Sequence, residues 1–199
     1  MPSAKTITAD FEKAESYILD RLQNELAPTL FYHGYHHTLD VIEAAIQIAD
    51  AENISEEEKT LLRIAAAFHD AGFIYAYNNN EAIACEIVQK ELPRFGFNEQ
   101  QIEMICGMIM ATQIPQQPKN KLEEIICDAD LDYFGREDVY NIAKTLFIES
   151  KIYNDMVDEK EWNKRQINFL KNHHYHTDYS RQTREQKKQE YLNTLLKEM

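Results

Sequence analysis

Residues 61–73, LLRIAAAFHDAGF, constrain the fold more than any other stretch of the chain. Leu62, Ala65 and Ala66 recur at helical spacing, and the same stripe continues to His69. A histidine and an aspartate then stand side by side, shortly before Gly72, which can end the helix. The pattern predicts an imidazole and a carboxylate at the inner edge of an apolar wall. A buried carboxylate is costly unless it is paired or bound to a metal. Asp70 therefore demands partners from elsewhere in the chain.

The surrounding pattern is helical. Among 199 residues there are only 5 Gly and 5 Pro, too few for a turn-dense β protein, and a 44% hydrophobic content supports a proper core. Residues 8–26 place Phe11, Ala14, Ile18, Leu22 and Leu26 on one helical face, with Asp10 as cap and Pro28 as breaker. The aromatic, histidine-rich run FYHGYHH (31–37) follows. A second helix then starts near Gly34 and extends to about Ala51, with Val41, Ala45, Ile48 and Ala49 inside. His37 precedes Val41 by one turn and shares its face. Ser55 followed by three glutamates is a capping box for the third helix. Asn80 is expected to cap a fourth helix, stopped by Pro93, and Asn98 a fifth through Ile102, Ile105, Ile109 and Met110.

Pro115 and Pro118 bracket a polar loop, after which residues 122–130 form a shorter helix ending in Asp130. Arg136, Glu137 and Asp138 open another helix, reaching about Ile152 through Val139, Ile142, Leu146 and Phe147. Residues 162–172 and 177–199 read as the last two helices. The final one is polar apart from Tyr191, Leu192, Leu195 and Leu196, so its end either frays or docks on a second copy, which leaves a homodimer open. The expectation is an all-α fold: one domain over 1–199, with a metal-site core at about 31–150 and C-terminal helices, 157–199, packed against it.

A formal net charge of −13 argues against a broad basic surface for nucleic acid or anionic membrane. An anionic substrate is still compatible with it, because a bound divalent cation reverses the field locally. Cys85, Cys106 and Cys127 form no CxxC pair and read as reduced, small apolar residues. With no signal peptide and no apolar run of membrane length, a soluble cytoplasmic protein is expected.

The seven histidines fall in three places: His33, His36 and His37; His69; and His173, His174 and His176. His37, His69 with Asp70, and the acidic knot CDADLD at 127–132 lie at predicted inner positions. Two neutral imidazoles and two carboxylates suit one divalent ion: Mn, Fe, Mg, Ni, Co or Zn. Each ligand comes from a separate helix, as in other helical metal proteins. Any one of these residues alone is more often a packed core residue. The set together points to a metal.

In order and spacing, these residues resemble the HD superfamily of metal-dependent phosphohydrolases, whose fold is the HD-domain/PDEase-like helical bundle. Tyr32 to His37 followed by Val41 looks like the family's YHxxxH…V segment, Phe68-His69-Asp70 like its HD pair, and Asp128-Ala129-Asp130-Leu131 like its DAD-L segment. The resemblance spans roughly residues 31–150. It implies His37, His69, Asp70 and Asp130 as metal ligands, with Asp128 in a supporting role. Asp70 would orient or deprotonate the water nucleophile. His33 matches the position that protonates the leaving oxygen in the cyclic-nucleotide phosphodiesterase branch, a role that suits an imidazole. The plain alternative is a ring packed beside Tyr32 and Tyr35.

Some positions depart from the family pattern. Asn80-Glu81 stands where many two-metal members carry His-Glu, and Thr112 where they carry another histidine. One tightly held metal is therefore expected, with Glu81 and Thr112 beside the ligands. Gly72 replaces the glutamate of the 5′-deoxynucleotidase branch. Arg63, Arg94, Lys119, Lys121 and Arg136 are candidate phosphate contacts, and Tyr35, Phe73, Tyr75 and Tyr77 candidate walls for a base or sugar. His174 or His176 could enter the pocket. The reading favoured instead is a helix C-terminus where cations meet the dipole. The expected function is hydrolysis of a nucleotide or other small phosphoester by metal-activated water. An HD-fold di-iron oxygenase and a non-catalytic, metal-stabilised sensor or interaction domain are the alternatives.

Overall fold

The computed structural model describes residues 9–154 and 158–198. Among these, the regular structure is ten α-helices and three short 3₁₀ turns, with no strand. The helices are α1 (Phe11–Glu25), α2 (Tyr35–Ala51), α3 (Glu56–Phe68), α4 (Asn80–Glu91), α5 (Glu99–Ala111), α6 (Lys121–Asp130), α7 (Val139–Tyr153), α8 (Glu159–Asn172), α9 (Asp178–Thr183) and α10 (Glu185–Lys197). No helix is long and apolar enough to cross a membrane.

Local chemistry sets most helix starts. Asp10 accepts from Lys13 N on α1, Asn120 from Glu123 N on α6 and Asp158 from Glu161 N on α8. The Ser55–Glu58 and Asn98–Gln101 pairs close reciprocal capping boxes on α3 and α5. The expected cap at Asn80 is displaced by one residue. Asn79 precedes α4 in the left-handed region at φ 58° and makes no side-chain cap, while the Asn80 amide donates to Asp70 Oδ1 at 3.4 Å. A polar contact with the site has taken the side chain from its local role. The start of the first helix at Thr8 lies outside the described residues.

The main core forms where α2 packs on α3 and α6, and α3 on α1 and α5. Ala65, Ala66 and Ala67 are fully buried, and side chains this small let α3 sit deep in the bundle. Just beyond α3, Gly72 lies against the start of α4, where an added Cβ would stand 2.0 Å from Asn80 O. No side chain fits at this position.

A second apolar cluster joins Tyr32, Leu131, Tyr133 and Phe134 to α7, α8 and α10. Three buried polar anchors hold the C-terminal helices to this cluster. Asp128 accepts from His176 N and Thr177 N, both at 2.8 Å, and from Thr177 Oγ1 at 2.7 Å. Lys188, fully buried, donates to His173 O at 2.9 Å and pairs with Glu185 at 2.8 Å. Arg184 Nε reaches Asp132 at 2.7 Å. The single final helix expected over 177–199 is divided at Arg184. This residue is held against Gly135, where an added Cβ would meet the Arg184 Cβ at 2.4 Å. That tertiary contact overrides the continuous helical pattern.

Asp128→Ala strands three donors at once and should cost about 3 kcal/mol of stability in urea denaturation. A loss below about 1 kcal/mol would mean that other contacts hold the segment.

Candidate metal centre and its cleft

The candidate ligands arrive from three helix ends or faces. His37 lies in the first turn of α2, His69 caps the C-terminus of α3, Asp70 follows it, and Asp130 is the last residue of α6. His37, His69 and Asp70 are buried, and each offers a ligand atom within 4.8 Å of the other two. Asp130 Oδ1 lies 3.1 Å from His37 Nε2 and 3.6 Å from His69 Nε2. Asp70 Oδ2 lies 3.6 Å and 3.2 Å from the same two nitrogens. All four sequence-predicted ligands therefore converge.

The donor chemistry fits a divalent cation. His69 Nδ1 is 2.7 Å from Ala66 O, which can only accept, so that nitrogen carries a proton. The neutral ring then turns the lone pair of Nε2 toward Asp70 Oδ2. Both atoms are buried, and neither has a hydrogen-bond partner. Two electron-rich atoms facing each other away from water are unfavourable unless a positive charge lies between them. In the protein alone a proton can serve. Burial opposes the His69 imidazolium, but the carboxylates of Asp70 and Asp130 outweigh burial and raise its pKa well above the usual range. Burial likewise opposes ionisation of Asp130, and its contacts with His37 and His69 outweigh that and hold its carboxyl low.

His33 stands beside this cluster, its ring stacked on Phe73 at 4.3 Å. Its Nδ1 bonds Glu149 Oε1. Glu149, on α7, also accepts from Tyr32 N at 2.8 Å, His33 N at 3.1 Å and Tyr77 OH at 3.1 Å. Burial works against a charged His33, and the bond to Glu149, helped by the Asp70 field, raises its pKa nonetheless. The sequence reading missed Glu149. A signal was present: Glu149 falls three residues after Leu146 and seven after Ile142, on the apolar stripe of α7. A carboxylate in that register needs a buried partner.

A cleft of about 360 Å³ opens from the centre, with His33, Asp70, Glu81 and Asp130 in its wall. Thr112 and Glu81 also line it. Burial raises the Glu81 carboxyl, with the charges of Asp70 and Asp130 adding to the effect. Phe73 and Tyr77 line the cleft, but Tyr35 and Tyr75 do not. Tyr75 is exposed and accepts from Arg21 at 3.0 Å. None of the five candidate phosphate-binding cations reaches the cleft. Arg63 pairs with Glu15, Arg94 with Glu91, Lys121 with Glu52 and Arg136 with Asp138, while Lys119 is exposed. The cation that lines the cleft among the described residues is Arg165, on α8. His174 and His176 do not line it either. His173 caps the end of α8 without being a cation there: burial and the nearby Lys188 charge lower its pKa to about 3.

Residues 34–133 match the HD domain family. The chain belongs to that family. Its members are metal-dependent hydrolases in general, and this chain carries a His/Asp group of the kind that can hold a divalent ion. Among solved structures the chain is similar to "The crystal structure of Bacillus subtilis YpgQ in complex with ADP". The two are 19% identical with a TM-score of 0.64, over 95% of this chain and 96% of that one, which shows a shared fold. No curated protein matches the chain.

Manganese at about a hundred times its dissociation constant should add about 3 kcal/mol of stability, or roughly 5–10 °C in Tm. A chelator should reverse the shift, and His37→Ala should abolish it. An unchanged Tm in the unaltered protein would argue against a resident metal.

Proposed function

We propose that this HD domain protein hydrolyses a small, nucleotide-like phosphoester with the help of one divalent cation held by His37, His69, Asp70 and Asp130. The observation that carries this reading is the buried, unpartnered pair His69 Nε2 and Asp70 Oδ2, 3.2 Å apart, beside a cleft that Asp70 and Asp130 line. The ADP in the YpgQ structure is in keeping with a ligand of this size. A divalent cation at this position supplies Lewis-acid activation of water and of the phosphoryl oxygens.

The chain's own residues account for the proton movements. Asp70 uses Oδ2 within the ligand cluster, and its Oδ1 accepts only the long Asn80 contact, so it is positioned to orient the attacking water and take its proton. His33 gives a proton to the leaving oxygen as the phosphorus–oxygen bond breaks. Glu149 is a positioning residue. It fixes His33 Nδ1 as the donor to its carboxylate, which leaves Nε2 as the nitrogen that exchanges protons in the cleft. Its bonds to two successive backbone N–H groups also pin the turn that carries His33.

Metal analysis of the purified protein, paired with a phosphate-release and phosphodiester screen, tests this directly. About one metal per chain and turnover lost in a folded His69→Ala variant are the expected results. Full activity in that variant would sink the proposal, and two irons per chain without hydrolysis would favour oxygenase chemistry. The pH profile is a second test. Since protonated His33 is the acid, activity should fall as pH rises through its raised pKa. Glu149→Gln removes the charge that raises it, so that falling limb should move down by about one pH unit or more. An unmoved limb would show that another group titrates.

A further inference from the structure

The cleft extends beyond the metal centre to one face of α8. Trp162, Arg165 and Phe169 recur there at i, i+3 and i+7, and all three line the cavity. Ile167 and Leu170 supply the buried apolar contacts of the helix and its remaining residues are polar, so large aromatic rings facing a cavity call for an explanation. Each ring is backed from behind. Trp162 lies on Phe147 at 5.6 Å between centroids, inclined by 28°. Phe169 lies on His173 at 5.9 Å and 17°, and Phe134, another wall residue, leans on Phe169 at 5.6 Å. Backing of this kind fixes the ring planes before a ligand arrives, which reduces the ordering cost of binding.

Charge narrows the ligand further. A chain of net charge −13, with Asp70, Glu81 and Asp130 in the cleft wall, repels anions unless a cation compensates. Arg165 is the Lys or Arg side chain available in that wall among the described residues. It is more than half exposed and bonds only its helical neighbour Glu161, at 2.7 Å. Such an exposed pair exchanges readily for a ligand anion.

We propose that α8 forms the specificity subsite: Trp162 and Phe169 receive a planar aromatic group, and Arg165 meets the anionic part of the same molecule. The substrate class is then a phosphoester of a heteroaromatic alcohol, a nucleoside, as opposed to a sugar or polyol phosphate. This deepens the hydrolase reading and relies on it only for the identity of the reacting group.

Trp162 is the single tryptophan of the chain, so its fluorescence reports on this subsite without any turnover. The test titrates the full-length protein, freed of metal by chelation, with AMP, GMP, CMP, UMP, adenosine and ribose 5-phosphate. Saturable quenching by at least one nucleotide is expected, with none by ribose 5-phosphate. Phe169→Ala should weaken that nucleotide roughly tenfold with the helical circular dichroism unchanged. Arg165→Gln should remove the advantage of AMP over adenosine and leave adenosine unaffected. Absence of quenching by all four nucleotides, or equal quenching by ribose 5-phosphate, overturns the proposal. Quenching without hydrolysis of any nucleotide upholds the subsite and overturns the hydrolase reading. Hydrolysis of ribose 5-phosphate with no quenching by nucleotides does the reverse.

Discussion

Two imidazoles and two carboxylates from α2, the end of α3 and the end of α6 meet where little water reaches them. Helix packing alone would not favour this arrangement, because carboxylates brought together in a poorly solvated space repel each other and lose hydration. Apolar contacts of the surrounding core oppose that cost, and the small alanines of α3 let the helices approach closely enough for the side chains to meet. A positive charge at the centre converts the arrangement from a liability to a stabilising element. Under the proposed function, folding and chemistry would be coupled at one point, since a cation held here would both offset the buried charges and activate water.

Glu149 imposes the second constraint. One buried carboxylate accepts from two backbone N–H groups, the His33 ring and the Tyr77 hydroxyl, and so joins α7 to the turn before α2 and to the segment before α4. The C-terminal helices are held by the same principle. Asp128 stands two residues from Asp130 and anchors the 173–177 run, Lys188 ties that run to α10, and Arg184 ties the α9–α10 junction to the turn after α6. The helices held in this way supply Trp162, Arg165 and Phe169 to the cleft. Buried polar anchors thus tie the cluster of His37, His69, Asp70 and Asp130 to the cleft wall on α8.

Most helices were legible because their signals act over a few residues. The Ser55–Glu58 and Asn98–Gln101 boxes form as their spacing predicts, and Pro28 and Pro93 lie beyond the helices they were expected to stop. The expectations that failed involve competition at long range. Asn80 leaves its cap to reach Asp70, and α10 separates from α9 because Arg184 is held against Gly135. The cations proposed to contact phosphate lie outside the cleft, although Arg136 lines a smaller cavity that His37 and Asp130 share. Charge and sequence position do not reveal which acid a lysine or arginine will find, and most of these paired with nearby carboxylates outside the cleft.

The sequence by itself determined an all-α chain and, through helical periodicity, inner positions for His37, His69 and Asp70; its resemblance to the HD family singled out Asp130 from the acidic run 127–132. Only the tertiary structure decided what surrounds them. Glu149 meets His33 across 116 positions of chain, and Asp128 meets Thr177 across 49. The register of Glu149 marks it as buried, but no local pattern names its partner; packing brings each buried charge next to the group able to satisfy it. The same holds for the cleft, whose wall on α8 is made of residues that the sequence showed only as part of a helix over 162–172.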